Sequence, residues 1–138
     1  MRSQNNRLRT RYLALIIGLI LNALGNGITV ASNTGSAVYT AASVDLFKLT
    51  GILSVSGFVF GWGLLNDVLN MFLLKKMEWL RFLKGLVYVT CFSYFIAVFS
   101  NAADFLGLPE QGFWVRTLVS LIGTTLIGIS ISIYQRAN

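Results

Sequence analysis

The chain contains no histidine, one cysteine and few charges: 12% of its 138 residues are charged, against about 25% in an ordinary soluble domain. The lack of histidine removes Ser-His-Asp and Cys-His catalysis, histidine metal sites and the usual switch near neutral pH. Cys91 stands alone within an apolar run, so no intramolecular disulfide can form; it reads as a small packing residue. CxxC and other metal-ligand spacings, paired catalytic groups and a Gly-rich phosphate loop are also missing from the sequence. The expectation is a protein that is not an enzyme, with no catalytic residues, no cofactor and no metal.

What is present is apolar. Hydrophobic residues make up 55% of the chain and the mean hydropathy is +0.69, which predicts a bilayer as solvent. Four apolar stretches run from Tyr12 to Val30, Gly51 to Leu74, Leu83 to Phe105 and Phe113 to Tyr134. Each matches or exceeds the roughly 20 residues needed to cross about 30 Å of hydrocarbon at 1.5 Å per residue. A helix pairs its backbone groups internally, whereas an open strand in lipid leaves them unpaired, and no alternating barrel pattern is seen. The predicted fold is therefore all-α: a polytopic membrane protein, with residues 1–138 forming a single membrane domain of four transmembrane helices. Arg2, Arg7, Arg9 and Arg11 before the first stretch resemble the start of a signal peptide. The apolar run is too long for one and lacks a small-residue cleavage site, so an uncleaved first span is expected.

The net charge of +6 does not point to nucleic acid, because the basic residues lie at the edges of apolar segments instead of forming one face. Their distribution sets an orientation. The four N-terminal arginines are followed by Lys48 alone in the first connection, with Asp45 beside it. Lys75, Lys76, Arg81 and Lys84 follow the second span, and Asn101 to Gly112 has Asp104 and Glu110 but no basic residue. Positive-inside logic places both termini and the Lys75 to Lys84 loop in the cytoplasm. Arg116 dissents near the outer end of the fourth span, where it can snorkel to the interface or pair with Glu110. Trp79 and Trp114 suit interfacial belts, and Trp62 reads as packing.

Between the first two spans, Ala31 to Thr50 is rich in Ser, Thr, Ala and Gly. After a turn-prone Ser32 to Ser36, the residues Val38, Ala41, Ala42, Leu46 and Leu49 recur near helical spacing. A short interfacial or re-entrant helix is predicted, either lining a path or capping the bundle at the bilayer surface.

The polar residues of the spans mark the candidate site, a possible polar path of Asn22, Asn26, Asn66, Asp67 and Asn70. Asn22 and Asn26 lie four apart with Gly18 and Gly25 nearby, a pattern that serves helix packing or substrate contact. In the second span Asn66 and Asn70 share one helical face and Gly63 and Asp67 the neighbouring one, and the stripe is expected to turn inward. A central Asp costs about 2.5 to 3.5 kcal/mol on insertion scales. Asp67 therefore reads as a proton- or cation-coupling carboxylate, as the partner of Lys75 or Arg116, or as a group hydrated near the cytoplasmic interface.

Shifting the chain so that Leu13 falls on Leu118 also superposes Ile17 on Ile122, Gly18 on Gly123, Leu21 on Leu126, Ile28 on Ile133 and Asn33 on Asn138. The chain ends where a second copy of the Asn33 to Thr50 segment would begin, which predicts truncation of a longer repeat. Leu24 to Ala37 (LGNGITVASNTGSA), Gly51, Ile52 and the Asn66 to Asn70 stretch resemble the YitT/YczE-type bacterial integral membrane proteins, as do Ile129 to Asn138 at the opening of a second half. The resemblance implies an inner-membrane protein described as permease-like, without an assigned catalytic or binding residue. Two functions are expected from the whole pattern: a permease-like transporter or half-transporter for an unknown small molecule or ion, or a non-transporting scaffold that binds a protein partner or anionic lipid. Small-residue faces on spans one and four are expected to support a homo-oligomer.

Overall fold

The computed structural model describes residues 2–34, 38–73 and 79–137. Among these, helices α1 (Arg2–Ser32), α2 (Val38–Thr50), α3 (Val55–Leu73), α4 (Trp79–Phe105) and α5 (Phe113–Ala137) follow one another, with a 3-10 turn at Leu108–Glu110 before α5. The boundaries have local causes. Asn33 (φ 51°) ends α1, Gly51 (φ 62°) ends α2 and Gly107 (φ 71°) follows α4, all in the left-handed conformation. At α2 the Gly51 amide closes back on the Phe47 carbonyl at 2.8 Å. Ser54 then starts α3, its hydroxyl accepting from the Gly57 amide at 3.2 Å as an N-cap does. The second apolar stretch, expected from Gly51, is therefore helical only from Val55. Conversely, α1 extends back through the arginine-rich tail, because polarity ends a membrane span but does not end a helix.

Helix α1 is the hub, flanked by α4 and α5; α3 packs on α4, with α2 against it. Glycines set the closest approaches. Gly25 of α1 and Gly123 of α5 lie against each other's carbonyl oxygens, and Gly18 meets the Ser130 backbone further down, so α1 and α5 are antiparallel. Gly27 sits on Phe99 and Ser100, while Ala23 packs with Phe92 and Ile96, so α4 runs in the same direction as α1. Gly63 faces Val89 and Gly85 faces Asp67, so α3 is antiparallel to α4. The start of α1, the end of α3, the start of α4 and the end of α5 thus share one end of the bundle.

The interior is built of small and hydroxyl-bearing groups. Ala23, Val59, Phe92 and Ile96 form the apolar core, while Asn26, Thr29, Ser32, Thr40, Ser43, Ser93 and Ser130 are also buried. Large aliphatic residues face outward instead, among them Ile16, Ile17, Leu83, Val87, Leu118 and Ile122. In water, exposed apolar patches of this kind mark association or membrane contact. In lipid the pattern is the expected one, since helices gain from close backbone approach and internal hydrogen bonds more than from burying aliphatic groups.

Among the described residues, three helical segments are long and apolar enough to cross a membrane: Arg7–Ser32, Trp79–Phe105 and Phe113–Arg136. Helix α3 is not among them, because Asn66, Asp67 and Asn70 dilute the apolarity of its 19 residues. Of the small faces on spans one and four, expected to support a homo-oligomer, Gly18, Gly25 and Gly123 lie in the α1–α5 crossing, whereas Gly128 has nothing within 4 Å of an added Cβ. Trp62, read as packing, is 40% exposed on α3, whereas Trp79 and Trp114 lie exposed at the starts of α4 and α5.

Candidate functional site

Asn26 is the polar centre of the fold, and it is only 4% exposed. Its Nδ2 donates to both the backbone oxygen and the Oδ1 of Asn22, each at 2.9 Å. Its Oδ1 accepts from the Thr40 hydroxyl of α2 at 3.2 Å. Thr29 Oγ1 donates to the Asn26 backbone oxygen at 2.9 Å, and Ser32 Oγ to the Thr29 oxygen at 2.8 Å. The buried hydroxyls thus find acceptors on their own helix, and the Asn26 side chain ties α1 to α2.

These bonds fix how α2 lies. Its first turn is held beside Asn26, nearly two turns before the end of α1, whereas Lys48 near its last turn donates to Asn33 Oδ1 at 3.3 Å. The chain therefore doubles back after α1 and α2 ascends beside it in the same direction. An open cleft of about 170 Å³ separates the two helices, lined by Thr29, Val30 and Asn33 on one side and by Ala41, Val44, Asp45 and Lys48 on the other. Sequence reading singled out the Ser/Thr-rich stretch but not this cleft, nor Thr29, Thr40 and Ser43 as interior groups, since a hydroxyl residue looks alike at a turn and in a core.

The second polar group is split. Asp67 turns toward α4, packed against the backbone at Gly85, and its shielded Oδ2 has no hydrogen-bond partner among the described residues. Asn66 and Asn70, expected to turn inward with it, are exposed. The difference follows from helical register, because the Gly63 and Asp67 face is consumed by α4 and the neighbouring Asn66 and Asn70 face has no helix over it among the described residues. Asp67 lies two turns beyond Val59, which packs beside Ala23, and Asn26 lies on the opposite side of that layer. At 1.5 Å per residue the two sites are about 16 Å apart along the bundle. Of the five sequence-selected residues, the fold joins Asn22 with Asn26 and leaves Asn66, Asp67 and Asn70 as a separate group.

Arg116 of α5 belongs to the end of the bundle away from Asp67, which removes it as the partner of that carboxylate; its shielded Nε makes no hydrogen bond to the described residues. Lys75 and Lys76 lie outside the described residues. No group of three or more His, Cys, Asp or Glu side chains converges among the described residues. The chemistry available is hydrogen bonding by amides and hydroxyls, with one carboxylate and one ammonium at the cleft.

Helices of membrane-crossing length, aliphatic outside and small or polar within, are consistent with a membrane protein of the helical, multi-pass class. A family model matches residues 9–138, and the chain belongs to the family of unknown function DUF6198. No curated protein and no solved structure matches the chain. The family match says nothing of a YitT or YczE relationship.

Proposed function

We propose that the chain is a permease-like membrane protein or half-transporter, embedded by four helices in a bacterial inner membrane, with both termini cytoplasmic. The observation that carries this reading is the doubled-back α2. Its first turn is held beside the buried Asn26, and a cleft opens along its length. In lipid, such a helix is a re-entrant segment, and irregular backbone is tolerated at membrane depth only where protein or a water-filled cavity surrounds it. Discontinuous helices of this kind form solute sites in many transporters. The resemblance of Leu24 to Ala37 to YitT/YczE-type proteins agrees with the proposal.

In this reading α3 is the fourth span. Its 19 residues give about 28 Å of helix, close to the hydrocarbon thickness. Asn66 and Asn70 then need water or another chain beside them, and a second copy bringing its own α3 would supply self-complementary amides. The orientation has a direct test in a Cys91→Ser background. Cysteines at Arg9 and Lys84 should react with an impermeant maleimide from the cytoplasmic side only, and one at Glu110 from the opposite side only. Labelling of Arg9→Cys and Lys84→Cys from different sides would end the four-span reading.

The transport step itself is tested with proteoliposomes loaded against a panel of radiolabelled small solutes. Asp67→Asn should reduce coupled uptake about tenfold or more if the carboxylate carries a proton or cation, and unchanged uptake removes that role. The scaffold reading is favoured by one feature: the Asn26 side chain is buried and engaged at both its nitrogen and its oxygen, by Asn22 and Thr40. Crosslinking in native membranes that captures one stoichiometric protein, together with no uptake of any solute, would select it.

A further inference from the structure

We propose that the α1–α2 cleft binds a small zwitterion of amino-acid size, its ammonium on Asp45 and its carboxylate on Lys48. The inference deepens the permease-like reading by naming a solute class, but the binding can be measured apart from transport.

Asp45 and Lys48 are three residues apart on α2, so both reach the same side of the helix, and both line the cleft. The Asp45 carboxylate has no hydrogen bond or ion pair with any described residue. Lys48 uses one of its three donors on Asn33 Oδ1, at 3.3 Å, and that contact tethers the ammonium at the rim. Val30, Ala41 and Val44 give the cleft an apolar wall, and Thr29, its hydroxyl donated to the Asn26 oxygen, closes the α1 side. The cleft, about 170 Å³ and open on one side, has room for a solute the size of glycine, alanine or proline.

Lys48 alone has a plain structural explanation, because a cation in the last turn favours the helix dipole and the Asn33 bond holds α2 to α1. That explanation does not involve Asp45, which stands exposed and unpaired among the described residues on the same side of α2. A site for a simple anion would be opposed by Asp45, and one for a simple cation by Lys48. A ligand carrying both charges satisfies the two together, and the apolar wall suits a short aliphatic side chain.

The test is equilibrium binding of radiolabelled alanine, glycine, proline and glycine betaine to the purified full chain in nanodiscs, with ethylamine and propionate as single-charge probes. At least one zwitterion should bind saturably, and its single-charge analogues about twofold to fivefold weaker, the value of one exposed ion pair. Asp45→Asn should weaken the zwitterion by the same factor without weakening propionate, whereas Lys48→Arg should retain binding and Lys48→Gln should lose it. Equal binding of zwitterions and single-charge probes, or no saturable binding by a protein with unchanged thermal unfolding, overturns the proposal. Binding without uptake in proteoliposomes upholds this site and removes transport. Uptake of another solute, indifferent to Asp45→Asn and Lys48→Gln, upholds transport and removes this site.

Discussion

Gly25→Ala should unfold or disperse the protein in mild detergent, although it adds only one methyl group. A Cβ at that position would stand 2.5 Å from the Gly123 carbonyl oxygen and 2.7 Å from Ile127 Cγ1. Neither neighbour can yield easily, because the first is helix backbone and the second is held in the same crossing. Overpacking typically costs about 1 to 3 kcal/mol, and the upper part of that range applies where backbone is the obstacle. The reverse change has the same logic, since a Cβ on Gly123 would meet the Gly25 oxygen and Thr29 Cγ2 at 2.9 Å. Gly128→Ala on the same helix is the control. Nothing lies within 4 Å of its added carbon, and its effect should stay within about 0.5 kcal/mol. Thermal unfolding followed by size-exclusion chromatography reads the difference. Equal midpoints for the two variants would show that α1 and α5 do not cross where the glycines place them.

Asn26→Leu should release α2 without dismantling the bundle. The substitution removes the link to Thr40 and takes the donor away from Asn22, leaving its half-buried Oδ1 without that bond. An unsatisfied buried polar group costs about 1 to 3 kcal/mol, and interhelical hydrogen bonds in membranes are worth about 0.6 to 2 kcal/mol. A release of this size raises the population of undocked α2 about tenfold. The readout is the maleimide reaction rate of a cysteine at the buried Ser43, in a Cys91→Ser background, which should rise by that factor. Asn66→Leu is the comparison, because Asn66 is exposed on α3 and its loss should leave the Ser43 position protected. If both variants react at the same rate as the parent, the Asn26 bond does not hold α2 in place.

The two substitutions also separate what a sequence shows from what it conceals. Gly18, Gly25 and Gly123 are legible as small-residue faces, and the correspondence of Gly18 with Gly123 emerges when the chain is shifted against itself. Their partner is not legible. A small face fits another small face equally well within one chain or between two copies, and only the antiparallel packing of α1 on α5 assigns it to the inside. The polar stripe of α3 was likewise visible, but which half of it meets a neighbour depends on the rotation of α3 against α4. A turn of one residue position exchanges Asp67 for Asn66 at that contact.

Local chemistry determined the helical class, the apolar runs, the alternation of charge between connections and the short helix after Ser32, because each depends on residues within a few turns of one another. Three-dimensional packing decided the rest: that α2 ascends beside α1 from Asn26 instead of lying across its end, that a cleft with Asp45 and Lys48 opens there, and that Asp67 is separated from Asn26. Those arrangements rest on contacts between helices far apart in the chain, and side chains in a helix point to every side until a neighbour selects one.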